Sequence, residues 1–299
     1  MAAHADFSGV IPPVVTPLTA DRELDRASLK RSIDRMIDRG VHGLFLLGSS
    51  SEVVFCTDSR RREIVETGIE AVAGRVPVLV GVIDAQTERM VEHARAAREL
   101  GADAVVATAP FYALGGPDEI EANFRAIREE VDLPLFAYDL PVCVHKKLDA
   151  DMLVGLGSEG VLAGVKDSSG DDVNFRFLVQ KNRAAGSPLK LFTGHEVVVD
   201  GAFLSGADGV VPGLGNVDPY GYVQQYKAYR EGDWDAVAQI QDRLALLMTI
   251  TSVTEGAVGF GAGVGAFKTA LQLLGVFETN QMPRPVRALE GGNVEAVRN

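Results

Sequence analysis

A lysine stands near the end of an apolar run in LAGVKDSSGDD, residues 162–172. In a strand, residues 164, 166 and 168 share one face and residues 165 and 167 share the other. If Lys166 points into an enclosed interior, Asp167 points away, and no carboxylate stands directly beside the amine. Burial favours the neutral amine. A free lysine has a pKa of about 10.4, so only about one molecule in a few thousand is neutral at pH 7. A neutral amine can attack a ketone and form a Schiff base, whose iminium draws electrons from an adjacent carbon–carbon bond. That chemistry needs a proton carrier and a seat for a carboxylate. Tyr138 in AYDLP supplies a phenol. The Ser49–Ser50 turn in GSSSE supplies hydroxyls and backbone N–H groups. Taken singly, these residues have bland explanations: a solvated strand-end lysine, a core tyrosine with one satisfied hydroxyl, a turn into a helix. Their joint placement favours chemistry.

The elements that must position them recur with a rhythm. Eight short apolar runs cover residues 10–18, 43–49, 76–83, 104–112, 133–141, 162–168, 189–194 and 209–215. Their apolarity is continuous rather than alternating, which suits parallel strands covered on both faces. Helical patterns lie between them. Leu29, Ile33, Met36 and Ile37 form one stripe, opened by Asp25 and closed by Gly40; Ile64, Val65, Ile69 and Val72 form another, opened by Thr57 and closed by Gly74. Thr87 opens the helix that ends at Gly101, and Pro117 suits a first helical position. The tetrads GVHG, GADA and GADG each end a helix before an apolar run, three copies of one turn.

Eight such units predict an α/β fold, a (β/α)8 TIM barrel over residues 1–217, with extra C-terminal helices over 218–299 packed on it. The polar residues then collect where such barrels keep their chemistry, at the strand C-termini: Ser49 to Glu52, Phe111 and Tyr112, Tyr138 and Asp139, Lys166, and Gly194 to Glu196. An open doubly wound sheet would want a glycine-rich turn after the first strand, and none is present. GFGAGVGAF follows a helical pattern and reads as a loop between helices, not a dinucleotide site.

A net charge of −12 repels phosphate backbones and anionic membranes, so neither nucleic acid nor a membrane is an expected partner. Two cysteines, Cys56 and Cys143, make neither a disulfide framework nor a cysteine zinc site. His4, His42, His93, His145 and His195 lack metal-ligand spacing, so no metal and no cofactor are expected. MAAHADFSGV lacks the parts of a signal peptide, and the apolar stretch 243–277 is broken by Glu255, Lys268 and glycines. A cytoplasmic enzyme is the expectation.

The chain from about residue 7 onward resembles the dihydrodipicolinate synthase and N-acetylneuraminate lyase family of pyruvate-dependent class I aldolases. IPPVVTPL, GSSSE, TAPFY, AYDLP, GVKDSSGD and KTALQLLGVFETNQMPRP are similar to that family's motifs, in order and at matching spacing. The resemblance implies that Lys166 is the Schiff-base lysine and Tyr138 the proton relay. It implies that Ser49 and Ser50 bind the pyruvyl carboxylate and that Ser50 joins the relay. Tyr112 matches a tyrosine that reaches a neighbouring subunit's site, which implies a homo-oligomer, commonly a tetramer of dimers. Val211 matches an apolar residue near pyruvate, and Gly194, Glu196 and Cys143 fall at positions that border substrate.

The departures narrow the substrate. Synthases that use aspartate semialdehyde resemble this chain but carry arginine at the position of Cys143. Sialic acid lyases carry G-Y-D-E where this chain has GHEV, so Glu196 keeps one acid and Val197 loses the other. Ser51 replaces a glycine and Asp139 an asparagine, changes expected to reshape the mouth. The expected reaction is aldol cleavage or dehydration of a small 2-oxo acid such as a 2-keto-3-deoxy sugar acid. The alternatives are a synthase-type condensation and a barrel that binds 2-oxo acids without turnover.

Overall fold

The computed structural model of the chain describes residues 7–299; the first six residues, His4 among them, lie outside the described part. Seven of the eight apolar runs contain a strand and the first meets one at Val10: β1 (Gly9–Val10), β2 (Leu44–Leu46), β3 (Val78–Gly81), β4 (Ala104–Ala107), β5 (Leu135–Asp139), β6 (Gly164–Asp167), β7 (Lys190–Thr193) and β8 (Gly209–Val210). They pair in parallel in the order β1-β8-β7-β6-β5-β4-β3-β2. The ends of this sheet meet. Phe45 N–H donates to Pro12 O at 3.0 Å, and Val14 N–H donates to Phe45 O at 2.8 Å. The strands therefore curl into a (β/α)8 barrel without free edges.

The first run forms a shorter strand than its apolarity suggests. Pro12, Pro13 and Pro17 have no N–H to give a ladder, so only Gly9–Val10 pair regularly, and Pro13 makes a single bridge to Phe45.

Helices α1 (Arg26–Asp38), α2 (Asp58–Val72), α3 (Thr87–Leu100), α4 (Pro117–Glu130), α5 (Pro141–Val144), α6 (Ala150–Ser158), α7 (Asp172–Ala184) and α8 (Val199–Ser205) link the strands. Helices α9 (Pro219–Glu231), α10 (Trp234–Met248), α11 (Gly263–Leu273) and α12 (Gly292–Arg298) follow the last strand. In α1 the stripe Leu29, Ile33 and Met36 is buried, each contributing about 2 kcal/mol. Asp25 accepts from Ser28 N–H and Thr57 from Arg60 N–H, as their positions predict. For α3 the cap lies one residue earlier than expected: Gln86, not Thr87, accepts from Arg89 N–H at 2.9 Å. Gly40, Gly101 and Gly206 all have φ between +86° and +108°, the left-handed turn that the repeated tetrads require. Among the described residues no helix is long and apolar enough to cross a membrane.

Inside the barrel, aromatic rings form a floor below the lysine. Phe136 lies two residues before Tyr138 on β5 and meets Phe7 and Phe192 edge to face, at centroid distances of 5.3 and 6.1 Å. Its ring fills the space left by its register partner Gly164, where a Cβ would fall 2.4 Å from Phe136 Cε1.

Candidate active site

Register brings the two principal side chains together. Tyr138 on β5 and Lys166 on β6 are direct partners in the parallel ladder. Both are buried, Lys166 at 6% exposure. The Lys166 amine lies 4.1 Å from the Tyr138 ring centroid and 5.1 Å from that of Phe45. Phe45 in turn meets Tyr138 edge to face at 6.4 Å. The amine thus sits above the aromatic floor, between two rings. The Ser49 hydroxyl donates to Tyr138 Oη at 3.4 Å, so serine turn, phenol and amine form one connected group.

Gly194, at the end of β7, backs onto the lysine stem. A Cβ there would lie 3.3 Å from Lys166 Cε and 2.1 Å from Ser168 Oγ. The glycine keeps the stem's path clear. Gly213, after β8, marks a second convergence. A Cβ there would meet Glu196 Oε1 at 3.1 Å and Ser50 Oγ at 3.3 Å. Val211 is buried and its N–H donates to Thr193 O at 2.8 Å.

Glu196 is only half-buried as a residue, but its carboxylate turns inward. Leu214 N–H donates to Oε2 at 2.8 Å and the Tyr222 hydroxyl at 3.2 Å. Burial raises the carboxyl pKa; these bonds, the Gly213 N–H and the Lys166 charge oppose the rise. The Tyr222 phenol is pushed well above its ordinary value by burial and then by Glu196. A carboxylate therefore does lie within electrostatic reach of Lys166. Strand alternation alone excludes Asp167 but cannot see a group from the next loop.

Two departures from the family pattern turn out to face away from the bore. The Ser51 hydroxyl donates to Val14 O, and Thr16 Oγ1 donates to Ser51 O at 3.0 Å, so this serine ties its turn to the chain after β1. Asp139 faces the Lys147 ammonium, which also lies 3.2 Å from Asp167 Oδ2. Burial pushes the Asp139 carboxyl up to about 6, against the bond from Lys147. Neither side chain lines the mouth directly.

Tyr112 and Cys143 do not join the cluster. Tyr112 follows β4 at 96% exposure and φ +76°. Cys143 is an exposed free thiol on α5, and desolvation raises its pKa.

A further pair had no assigned role in the sequence. Lys268 on α11 is fully buried and meets Glu52 Oε2 at 2.5 Å, while also donating to Gln281 O at 2.9 Å. Burial raises Glu52 and lowers Lys268, each opposed by the other's charge. The pair joins GSSSE to the KTAL segment. A cation interrupting an otherwise apolar helix was the signal that marked it.

Residues 6–299 match the dihydrodipicolinate synthetase family. The chain is 33% identical to an uncharacterised DapA-like lyase of Halobacterium salinarum, over 94% of this chain and 89% of that one. It is 29% identical to a probable 2-dehydro-3-deoxy-D-pentonate aldolase of Escherichia coli, over 95% and 93%. The crystal structure of YagE, a prophage protein from E. coli K12 in complex with pyruvate, superposes with a TM-score of 0.92 at 27% identity, covering 98% of this chain and 96% of that one.

Proposed function

This chain belongs to the dihydrodipicolinate synthetase family and is a lyase, and from that premise we propose that it cleaves or dehydrates a 2-keto-3-deoxy sugar acid through a Schiff base on Lys166. The observation that carries this reading is the Lys166 amine lying over the Tyr138 ring at 4.1 Å, with Ser49 on the same phenol. The neutral amine attacks C2 of the 2-oxo acid, and the carbinolamine loses water to give an iminium. In the cleavage direction a base takes the C4 hydroxyl proton and the C3–C4 bond breaks. Its electron pair moves to the iminium nitrogen as an enamine, and an aldehyde departs. Protonation at C3 and hydrolysis return the amine and release pyruvate. In dehydration a proton leaves C3 and the C4 hydroxyl departs as water. In this reading the aromatic walls keep water from the amine and Tyr138 Oη moves the protons. The Ser49–Ser50 turn seats the carboxylate.

Cys143 offers no guanidinium for a second carboxylate, and Val197 offers no acid for a sialate hydroxyl. Both support a shorter, uncharged sugar tail as the rest of the substrate. The proposed assembly is a homotetramer built as a dimer of dimers, with Tyr112 entering a neighbour's site.

Borohydride added with pyruvate is expected to leave a reduced pyruvyl group on Lys166, read by intact mass and peptide mapping. Lys166→Ala should abolish the adduct, and Tyr138→Phe should slow turnover while some trapping persists. A wild-type protein that gains no mass would overturn the reading.

A further inference from the structure

The segment after β5, residues 140–149, lies at the C-terminal end of the barrel, where substrate enters such folds. It carries two exposed side chains, Val142 and Cys143, on the short helix α5. His145 follows at φ +57°, a conformation that a non-glycine residue rarely adopts. Such a short, irregular segment needs anchors to hold one shape. Val144 and Leu148 supply buried apolar anchors. Lys147 supplies the polar one.

The Lys147 ammonium bridges Asp139 on β5 and Asp167 on β6. These aspartates are register partners, both buried, and each directly follows one of the two principal site residues. Two carboxylates at opposed positions repel one another, and one cation between them offsets that repulsion. Leu148 N–H adds a bond to Asp139 Oδ1 at 3.2 Å, while Ser169 N–H and Oγ hold Asp167 Oδ1 at 2.8 and 2.6 Å. Asp171, capping α7, also feels the Lys147 charge. The lysine is thus the cation through which the loop grips the ends of both strands.

We propose that Lys147 is a positioning residue, which fixes the 140–149 segment as one wall of the mouth and so sets the fit of the substrate's tail beyond C3. This rests on the Schiff-base reading above. Pyruvate is too short to reach that wall and binds through Lys166 and the serine turn. The full sugar acid extends past it. Loss of the clamp therefore separates the two ligands.

The test compares wild type, Lys147→Met, Lys147→Arg and the double variant Asp139→Asn/Lys147→Met, which leaves less uncompensated buried charge if the single variant folds poorly. Trapping of pyruvate by borohydride should stay within about twofold in all four. The KM for cleavage of 2-keto-3-deoxygluconate should rise about tenfold in Lys147→Met with kcat little changed, and Lys147→Arg should recover most of the loss. Amide hydrogen exchange, which needs no substrate, should quicken in residues 142–148 of Lys147→Met while β5 and β6 stay protected. Unchanged exchange in that segment would overturn the proposal. So would an unchanged KM, or trapping that falls in step with the rise in KM. Failure of wild-type trapping would instead strike the Schiff-base reading, with the exchange result still judging the clamp.

Discussion

Glu196 shows how one side chain can be tuned by neighbours from three segments. Its charged form is favoured by Tyr222 from α9, by the N–H of Leu214 after β8 and by the Lys166 charge, while burial works against it. Removing a donor to a charged carboxylate raises its pKa. Tyr222→Phe deletes that donor and keeps the ring. The acidic limb of the kcat/KM profile is therefore expected to move upward. Glu196→Gln should remove that limb, and the Tyr222→Phe shift should vanish in the double variant; a profile that never moves would take Glu196 out of the site's proton chemistry. The grouping of Lys166 and Tyr138 was legible in the sequence, because strand alternation and ladder order place them on one face and at one depth, and Ser49 joins them because its turn follows another strand at the same end of the barrel. Tyr222 and Lys147 were not, and Lys268 showed only as a cation interrupting an apolar helix. Their roles depend on where loops and added helices return to the barrel, and neither periodicity nor spacing encodes that return.

At the scale of elements, the β5–β6 pair carries a titration with a definite sign. The Asp139 carboxyl is pushed up to about 6 by burial, above its unfolded value near 3.8. Between those values the folded state holds a proton that the unfolded state has lost. Stability linked to this group is therefore present at low pH and fades as pH rises through about 6. The shift corresponds to something on the order of 3 kcal/mol. Lys147 has the same sign in a higher window: the two aspartates raise its value against the desolvation that lowers it, so its contribution is kept until the amine deprotonates. Asp139→Asn removes the first effect. Its unfolding free energy relative to wild type should improve between pH 4 and about pH 6 and then level off, measured by urea titration from pH 4 to pH 8; a constant difference would show that Asp139 ionises normally. The elements themselves were legible to within their ends, since short apolar runs, caps and glycine turns each have a local cause. The misjudged ends have local causes too. Proline spacing cut β1 short. Gln86 outreached Thr87 for the α3 cap because its longer side chain can fold back onto Arg89 N–H.

At the scale of the whole molecule, the helices after β8 complete the barrel's catalytic end. Tyr222 reaches Glu196, and Lys268 reaches the residue that follows the serine turn. A remaining feature points outward. Tyr112 holds a bulky ring at φ +76° with almost its whole surface in water, and Leu114 nearby is exposed as well. Strain of that kind persists where a constraint outweighs it, and a ring so placed can lodge in a second copy of the chain. If Tyr112 completes a neighbour's site, Lys166→Ala and Tyr112→Ala damage different partners of each shared site. Co-expressed, the two variants should form mixed dimers in which one site holds both an intact lysine and an intact tyrosine. Random pairing would make half the dimers mixed, so about one quarter of the sites should regain full activity. Each parent alone should remain far below that level. Light scattering should meanwhile report the mass of an oligomer for every variant, so that recovery is not mistaken for assembly alone. Co-expression that gives no more than the average of the two parents would place Tyr112 outside the neighbouring site and leave its strained exposure to another cause.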